Sequence, residues 1–516
     1  MAVSSLRLLG LTLLFTIAAI AAPAHAEWRR ATTDRFVIYS EGSEDDLRER
    51  VRMLHRFDRL IRAPFGLSEA PPARPLTVLL VTGREGKEAI YPAVPEGVGG
   101  WYSATEHDIY AALDRRVGPG TLLHEYVHHV MQQNFPAATP AWFTEGIAEF
   151  YKTARIDDEE TRVGFRDDNR IVALNRLPWV SMDRLLTRRA LTGDRAQTAA
   201  FYAQAWLLTH YLMSDPDRRQ KMVAYLDAVA KGTPPLEAVQ PALGMTADEL
   251  EQALRRYLRG QIPYATYPTP ATADPAMTIE TLPPSADDLF PLSIRLNYAQ
   301  RGTDGPRVFA RIKAAAERWP EDRLARMTLA KAEYAWGTPE AAEAALTRLL
   351  QTDPNDVEAL RWMARLRQRA AAQAQTAGDT ATRDTLHGQA RAYLARALNA
   401  DPDDYRIYLA LGRSRRGASG YPNDNDLRTW ASAVELAPQV AAVRGEASQA
   451  FAAAGQVDTA VALLLPLAND PHGGALAARA RRELQTLRPD GEAPDQPEVI
   501  EPETDEPAPV PPPDGD

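Results

Sequence analysis

Thr121-Leu-Leu-His-Glu-Tyr-Val-His-His-Val-Met131 decides how this chain is read. Its apolar positions suit a helix, it contains no breaker, and Pro119 stands just ahead, where proline favours a helix start. Positions i and i+4 lie on one helical face a turn apart, so the imidazoles of His124 and His128 converge on one metal ion, with Glu125 beside them. Nine histidines in 516 residues make a chance H-E-x-x-H an event of about one or two in a hundred chains. The chain has no cysteine, which excludes disulfides, thiolate ligands, cysteine nucleophiles and a cysteine-linked lipid anchor. Histidine and carboxylates are left to hold a metal.

A catalytic zinc takes three protein ligands and keeps a fourth position open. The next helical start, Pro140-Ala-Trp-Phe-Thr-Glu-Gly-Ile-Ala-Glu149, carries two carboxylates one turn apart. Together, residues 124–149 resemble the gluzincins, zinc peptidases with two histidine ligands and one glutamate ligand. In that family the glutamate sits in an Asn-Glu-Gly or Asn-Glu-Ala setting on the helix after H-E-x-x-H. The match here is Thr144-Glu145-Gly146-Ile147-Ala148, with Thr144 where the family often has asparagine. The resemblance implies one Zn2+ per chain, held by His124, His128 and Glu145. It also implies that Glu149 orients His124, by likeness to the acid four residues after the glutamate ligand in thermolysin-like enzymes. A metzincin would need glycine at 131 and histidine at 134, where this chain has Met131 and Asn134.

The activity so implied is peptide-bond hydrolysis. Zinc polarises the scissile carbonyl and activates its bound water, while Glu125 is the general base that takes the water proton and returns it to the leaving amine. In gluzincins a tyrosine or histidine on a later helix donates to the oxyanion. Within Phe201-Tyr-Ala-Gln-Ala-Trp-Leu-Leu-Thr-His-Tyr-Leu212, Tyr202 is the favoured donor and His210 the second choice. His129 points about 100° away from the ligand face, into a second layer or the surface. A strand expected over Gly100–Tyr110 brings Trp101 and Tyr102 either to a groove where substrate backbone adds as a strand, or into packing.

Around this motif the chain divides by composition. Residues 1–26 read as a signal peptide: Arg7, an apolar run over Leu8–Ala22, and the small-x-small Ala24-His25-Ala26. The expected location is therefore exported, periplasmic or secreted. Residues 27–261 mix strand runs (Phe36–Tyr39, Leu76–Val81) with a helical period over Leu47–Ile61. Residues 262–287 are proline-rich and read as a linker. In 288–488, Pro320, Pro354, Pro402, Pro438 and Pro471 recur at separations of 34, 48, 36 and 33 residues. A 34-residue helix–turn–helix period resembles tetratricopeptide repeats; the 48 is assigned to an insertion over Ala371–Asp384. The fold class expected is α+β, a gluzincin-like domain of a small sheet and active-site helices, followed by an all-α tetratricopeptide-type solenoid.

The net charge of −10 arises in the tail. Residues 490–516 hold ten acids and no lysine or arginine, so the rest of the chain sums to zero. Residues 489–516, with nine prolines, are expected to be a disordered acidic tail. No basic surface for nucleic acid is indicated, and no segment after the signal peptide is apolar for long enough to span a membrane. The partners expected are a peptide or protein substrate and a protein bound through the repeats. Two competing functions are a non-catalytic scaffold acting through the repeat groove and a zinc hydrolase acting on cell-wall peptides.

Overall fold

The computed structural model describes residues 27–135, 139–187, 195–269, 274–298, 304–470 and 473–488. The expected signal peptide and acidic tail lie outside them. Nine strands are described: β1 (Arg29–Thr32), β2 (Phe36–Ser40), β3 (Leu76–Val81), β4 (Gly100–Ala104), β5 (Ile109–Asp114), β6 (Arg155–Ile156), β7 (Glu160–Val163), β8 (Ala265–Pro268) and β9 (Thr278–Thr281). Six of them form one sheet in the order β4-β5-β3-β2-β1-β9, and β6-β7-β8 form a second. β3 pairs in parallel with β2 and β5. Its nearly continuous apolar run, Leu-Thr-Val-Leu-Leu-Val, is what a strand covered on both faces requires.

Helix α1 (Glu44–Arg62) links β2 to β3 and buries Leu47, Val51, Leu54, Phe57 and Ile61. These pack with Phe36, Ile38, Val78 and Leu80 on one sheet face. Ser43 caps α1 by accepting from the Asp46 amide, and acids begin it while Arg59 and Arg62 end it, matching the helix dipole. α2 (Gly83–Ile90) helps cover the other face. The helices that carry His124 and Glu145, α3 (Pro119–Asn134) and α4 (Ala141–Tyr151), follow β5, and then α5 (Asp168–Arg176), α6 (Met182–Thr187), α7 (Arg195–Met213), α8 (Pro216–Ala230), α9 (Pro235–Leu243) and α10 (Ala247–Arg259).

Two expectations are corrected. The strand expected over Gly100–Tyr110 is a hairpin: β4 and β5 pair antiparallel around a turn at Thr105–Asp108, where the Thr105 amide bonds the Asp108 carbonyl. The 262–287 segment is no free tether, because β8 pairs with β7 and β9 with β1. Its prolines are compatible with this, since both strands lie at sheet edges. α11 (Ala286–Arg295) then packs Phe290 against Trp28 and Tyr39, at ring separations of 4.8 and 4.5 Å.

The remainder is helical: α12 (Gly305–Arg318), α13 (Arg323–Trp336), α14 (Pro339–Thr352), α15 (Val357–Thr376), α16 (Thr380–Ala400), α17 (Tyr405–Arg415), α18 (Asp424–Leu436), α19 (Ala441–Ala453), α20 (Val457–Ala468) and α21 (Gly474–Leu487). Successive helices pack as neighbours in a repeat stack. The recurring proline motif has a local cause. In three copies the aspartate two residues after proline, Asp322, Asp356 and Asp404, caps the next helix with its carboxylate. The insertion lengthens α15 and α16, which turn through Gly378 at φ +77°.

The repeats return to the sheet. The Tyr405 hydroxyl donates to the Thr105 carbonyl at 2.6 Å, Arg406 donates to the His107 carbonyl at 3.2 Å, and Arg413 pairs with Glu106. α17 thereby grips the turn of the β4–β5 hairpin. Among the described residues no helix is long and apolar enough to cross a membrane.

Candidate metal centre

α3 forms where it was expected and presents His124 and His128 one turn apart. α4 brings Glu145 against them. The two Nε2 atoms are 3.0 Å apart, and Glu145 Oε2 lies 3.6 Å from His124 Nε2 and 3.5 Å from that of His128. Ligand atoms about 2.0–2.2 Å from a tetrahedral ion stand roughly 3.4 Å from one another, so the residues fit a zinc ion. Among the described residues this is the one histidine–carboxylate group so gathered, with its three ligand atoms within 4.8 Å.

The close approach of α4 to its neighbours has a sequence cause. A Cβ at Gly146 would stand 2.4 Å from the Ala205 carbonyl oxygen of α7 and 2.1 Å from Thr209 Oγ1. Only glycine after Glu145 lets α7 press on α4 at this depth.

Electrostatically the site favours a cation. Glu145 and Glu149 are fully buried. Burial opposes charge on His124, yet hydrogen bonds to Glu145 and Glu149 push its pKa up to about 10. Glu149 Oε1 lies 3.0 Å from His124 Nδ1, which turns Nε2 toward the ligand cluster. Burial alone would raise the Glu149 pKa, but Arg170 and Lys152, 2.6 and 2.7 Å from Oε2, hold it well below the usual carboxylate range. Glu149 therefore stays ionised and accepts from His124.

Glu125 stands beside the triad. Its Oε2 accepts from the Tyr102 backbone amide of edge strand β4 at 2.8 Å. The Tyr102 hydroxyl meets His129 Nδ1 at 3.1 Å, so this ring packs rather than lining an open groove. His129 is buried, and burial with the nearby Arg62 lowers its pKa to about 4. It is neutral at pH 7. Tyr126, on the opposite side of α3, donates to Asp58, which also pairs with Arg35 and Arg62 and ties α3 to α1.

The two oxyanion candidates are placed differently. Tyr202 is buried with the Arg170 guanidinium 5.6 Å from its ring centre. His210 has both ring nitrogens engaged, by the Gly164 carbonyl at 2.7 Å and the Tyr257 hydroxyl at 2.9 Å. That makes it a packing residue between α7, α10 and the end of β7. Sequence reasoning missed the Tyr102 amide, Lys152 and Arg170. Lys152 was legible, three residues after Glu149 on one helical face. Arg170 and Tyr102 arrive from distant elements.

Residues 120–237 match the model of a family described as a protein of unknown function, DUF1570. The matched stretch contains His124, Glu125, His128, Glu145 and Glu149 and less than a quarter of the chain. No curated protein matches this chain. A solved structure of a thermophilic TPR protein in Thermus thermophilus is similar at 19% identity, covering 39% of this chain and 98% of that one, with a TM-score of 0.33.

Proposed function

We propose that this is an exported zinc-dependent peptidase of gluzincin type whose repeats recruit a substrate or a protein partner. One observation carries the reading: His124, His128 and Glu145 converge at tetrahedral spacing, with Glu125 held alongside them by the Tyr102 amide. Zinc bound there would supply Lewis acidity to a peptide carbonyl and acidify a water. Glu125 would hold a proton at its carboxylate and pass it to the leaving nitrogen, and the Tyr102 amide, donating to Oε2, keeps that carboxylate aimed. Glu149 fixes the His124 tautomer. Tyr202 is proposed as oxyanion donor on the strength of the resemblance.

The test is metal analysis followed by cleavage of a peptide library with a chelator control. About one zinc per chain is expected, lost in His124→Ala and retained in Glu125→Gln, which should cleave about 10²–10⁴-fold more slowly. A metal-free wild type would end this reading.

A second reading is a scaffold that binds proteins without catalysis. Its support is the helical repeat stack, on which Arg365 and Arg369 cover the half-buried ring of Tyr334 at 5.3 and 4.7 Å. Such planar stacks suit protein recognition. An inactive, metal-free wild type whose partner is lost in Arg365→Ala, with the repeats still folded, would favour it.

A further inference from the structure

A cavity of about 80 Å³ lies between the metal-site helices and the repeats. Met131, Gln132 and Thr144 line one wall, and Gln439, Arg444 and Asp470 line the other. Gln132 follows His128 by four residues, so it continues the stripe of His124 and His128 one turn onward. Thr144 directly precedes Glu145. The cavity wall thus includes the residue beside Glu145 and the residue one turn after His128, while His124, Glu125, His128 and Glu145 themselves do not line it.

Arg444 is 4% exposed. Among the described residues its side chain makes one hydrogen bond, from Nε to the Pro438 carbonyl, out of the five N–H donors a guanidinium carries. Arg62, Arg170 and Arg295, buried to a similar degree, each bond a carboxylate, whereas Arg444 and Arg481 bond only a backbone carbonyl; of those two, Arg444 lines this cavity. Burial lowers the pKa of Arg444 to about 10, with no charged neighbour contributing. The group remains cationic at pH 7. Among the described residues no carboxylate hydrogen-bonds Arg444, although Asp470 lines the same cavity wall, and its Nη1 and Nη2 donors are left for an incoming anion.

We propose that Arg444 is the carboxylate-recognition residue of the metal site, a guanidinium supplied by the repeats that anchors a substrate carboxylate in this cavity. The proposal rests on the peptidase reading for the word substrate, and on the cavity and Arg444 for the rest. An extended peptide advances about 3.3–3.6 Å per residue, and the cavity wall begins one turn, about 5.4 Å, beyond His128. A carboxylate held there lies about two or three residues from the bond presented to the metal. The carboxylate is either the peptide's C-terminus or an acidic side chain near the cleavage point.

The experiment uses the full mature chain and three dansyl hexapeptides of one neutral sequence: a free acid, its amide, and an amide with one residue near the C-terminus changed to glutamate. Binding is read by anisotropy on Glu125→Gln, and hydrolysis on the wild type. The free acid should bind about 10- to 100-fold tighter than the plain amide, as a charge-assisted bidentate pair implies. Adding Arg444→Gln should erase that preference while leaving the plain amide unchanged, and Arg444→Lys should keep part of it. If only the free acid gains affinity, the terminus is the ligand; if the glutamate amide gains it equally, the cavity accepts either carboxylate. Equal binding of all three peptides, or a preference that survives Arg444→Gln, overturns the proposal. Should Arg444→Gln not fold, the peptide comparison and Arg444→Lys decide. Acid-selective, Arg444-dependent binding without hydrolysis would sink the peptidase reading and leave the carboxylate site standing.

Discussion

Each ring nitrogen of His124 has its own neighbour, Nε2 facing Glu145 and His128 and Nδ1 facing Glu149. Replacing Glu149 by glutamine removes the negative charge while keeping a carbonyl acceptor, so the ring stays but its basicity falls. Metal affinity should drop about 10- to 100-fold in Glu149→Gln, measured by competition with a coloured chelator; an unchanged affinity would remove Glu149 from the site. Glu125→Gln differs in kind. Its side chain is not among the three proposed ligands, so affinity should hold within about twofold while hydrolysis falls about 10²–10⁴-fold. The residues behind these predictions were unequally legible. His124, Glu125 and His128 announce themselves by spacing, and Glu145 and Glu149 by resemblance. Arg170 cannot be found this way, because its place on Glu149 depends on how α5 folds back over α4.

Between helices, Gly146 carries the tightest constraint, since a methyl group there would meet the Ala205 carbonyl. A clash with backbone cannot be relieved by a rotamer change. Gly146→Ala should cost about 1–3 kcal/mol, as overpacking does, and loosen Glu145 with it. Thermal melts and zinc content should fall together. A stable variant with wild-type metal would refute the account. Asp404 makes a pH prediction. Burial would raise its pKa, but Arg361 and Arg406 hold it far below the ordinary 3.8. A depressed pKa means stabilisation that is fully present above about pH 4 and lost as the pH falls below it. Asparagine still caps a helix, so Asp404→Asn isolates the charge. At pH 7 it should cost about 3–5 kcal/mol, the penalty for breaking a buried pair, and it should flatten the acid limb of the stability curve. Equal melting of the two chains at pH 7 would contradict this. The repeated Pro-x-Asp spacing was readable because capping is local; that Asp404 also pairs with Arg406, at the hairpin contact, was not.

For the whole molecule, the decisive feature is that the parts composition separates are joined in space. The proline-rich segment that reads as a tether supplies β9 to the edge of β1, and α11 covers the back of the sheet through Phe290. α17 holds the hairpin whose strand β4 directs the Tyr102 amide at Glu125. None of these contacts has a sequence period, because each long-range pairing joins segments far apart in the chain. They set the size of the smallest unit that folds. A chain of residues 27–261 would lose β9 and α11, leaving β1 an open edge and Trp28, Tyr39 and Leu79 exposed on the sheet's back face. Open apolar edges pair with other chains. Residues 27–261 should therefore aggregate or bind 8-anilinonaphthalene sulfonate, whereas 27–298 should be more soluble and 27–488 should match the full chain in circular dichroism and zinc content. The chain of intermediate length separates two roles. If 27–298 folds and binds zinc yet hydrolyses peptides poorly, the repeats act by holding the hairpin and with it Glu125. If 27–261 alone proves a monomeric, cooperatively melting zinc protein, the sheet does not depend on β9 and α11, and the parts are separable after all.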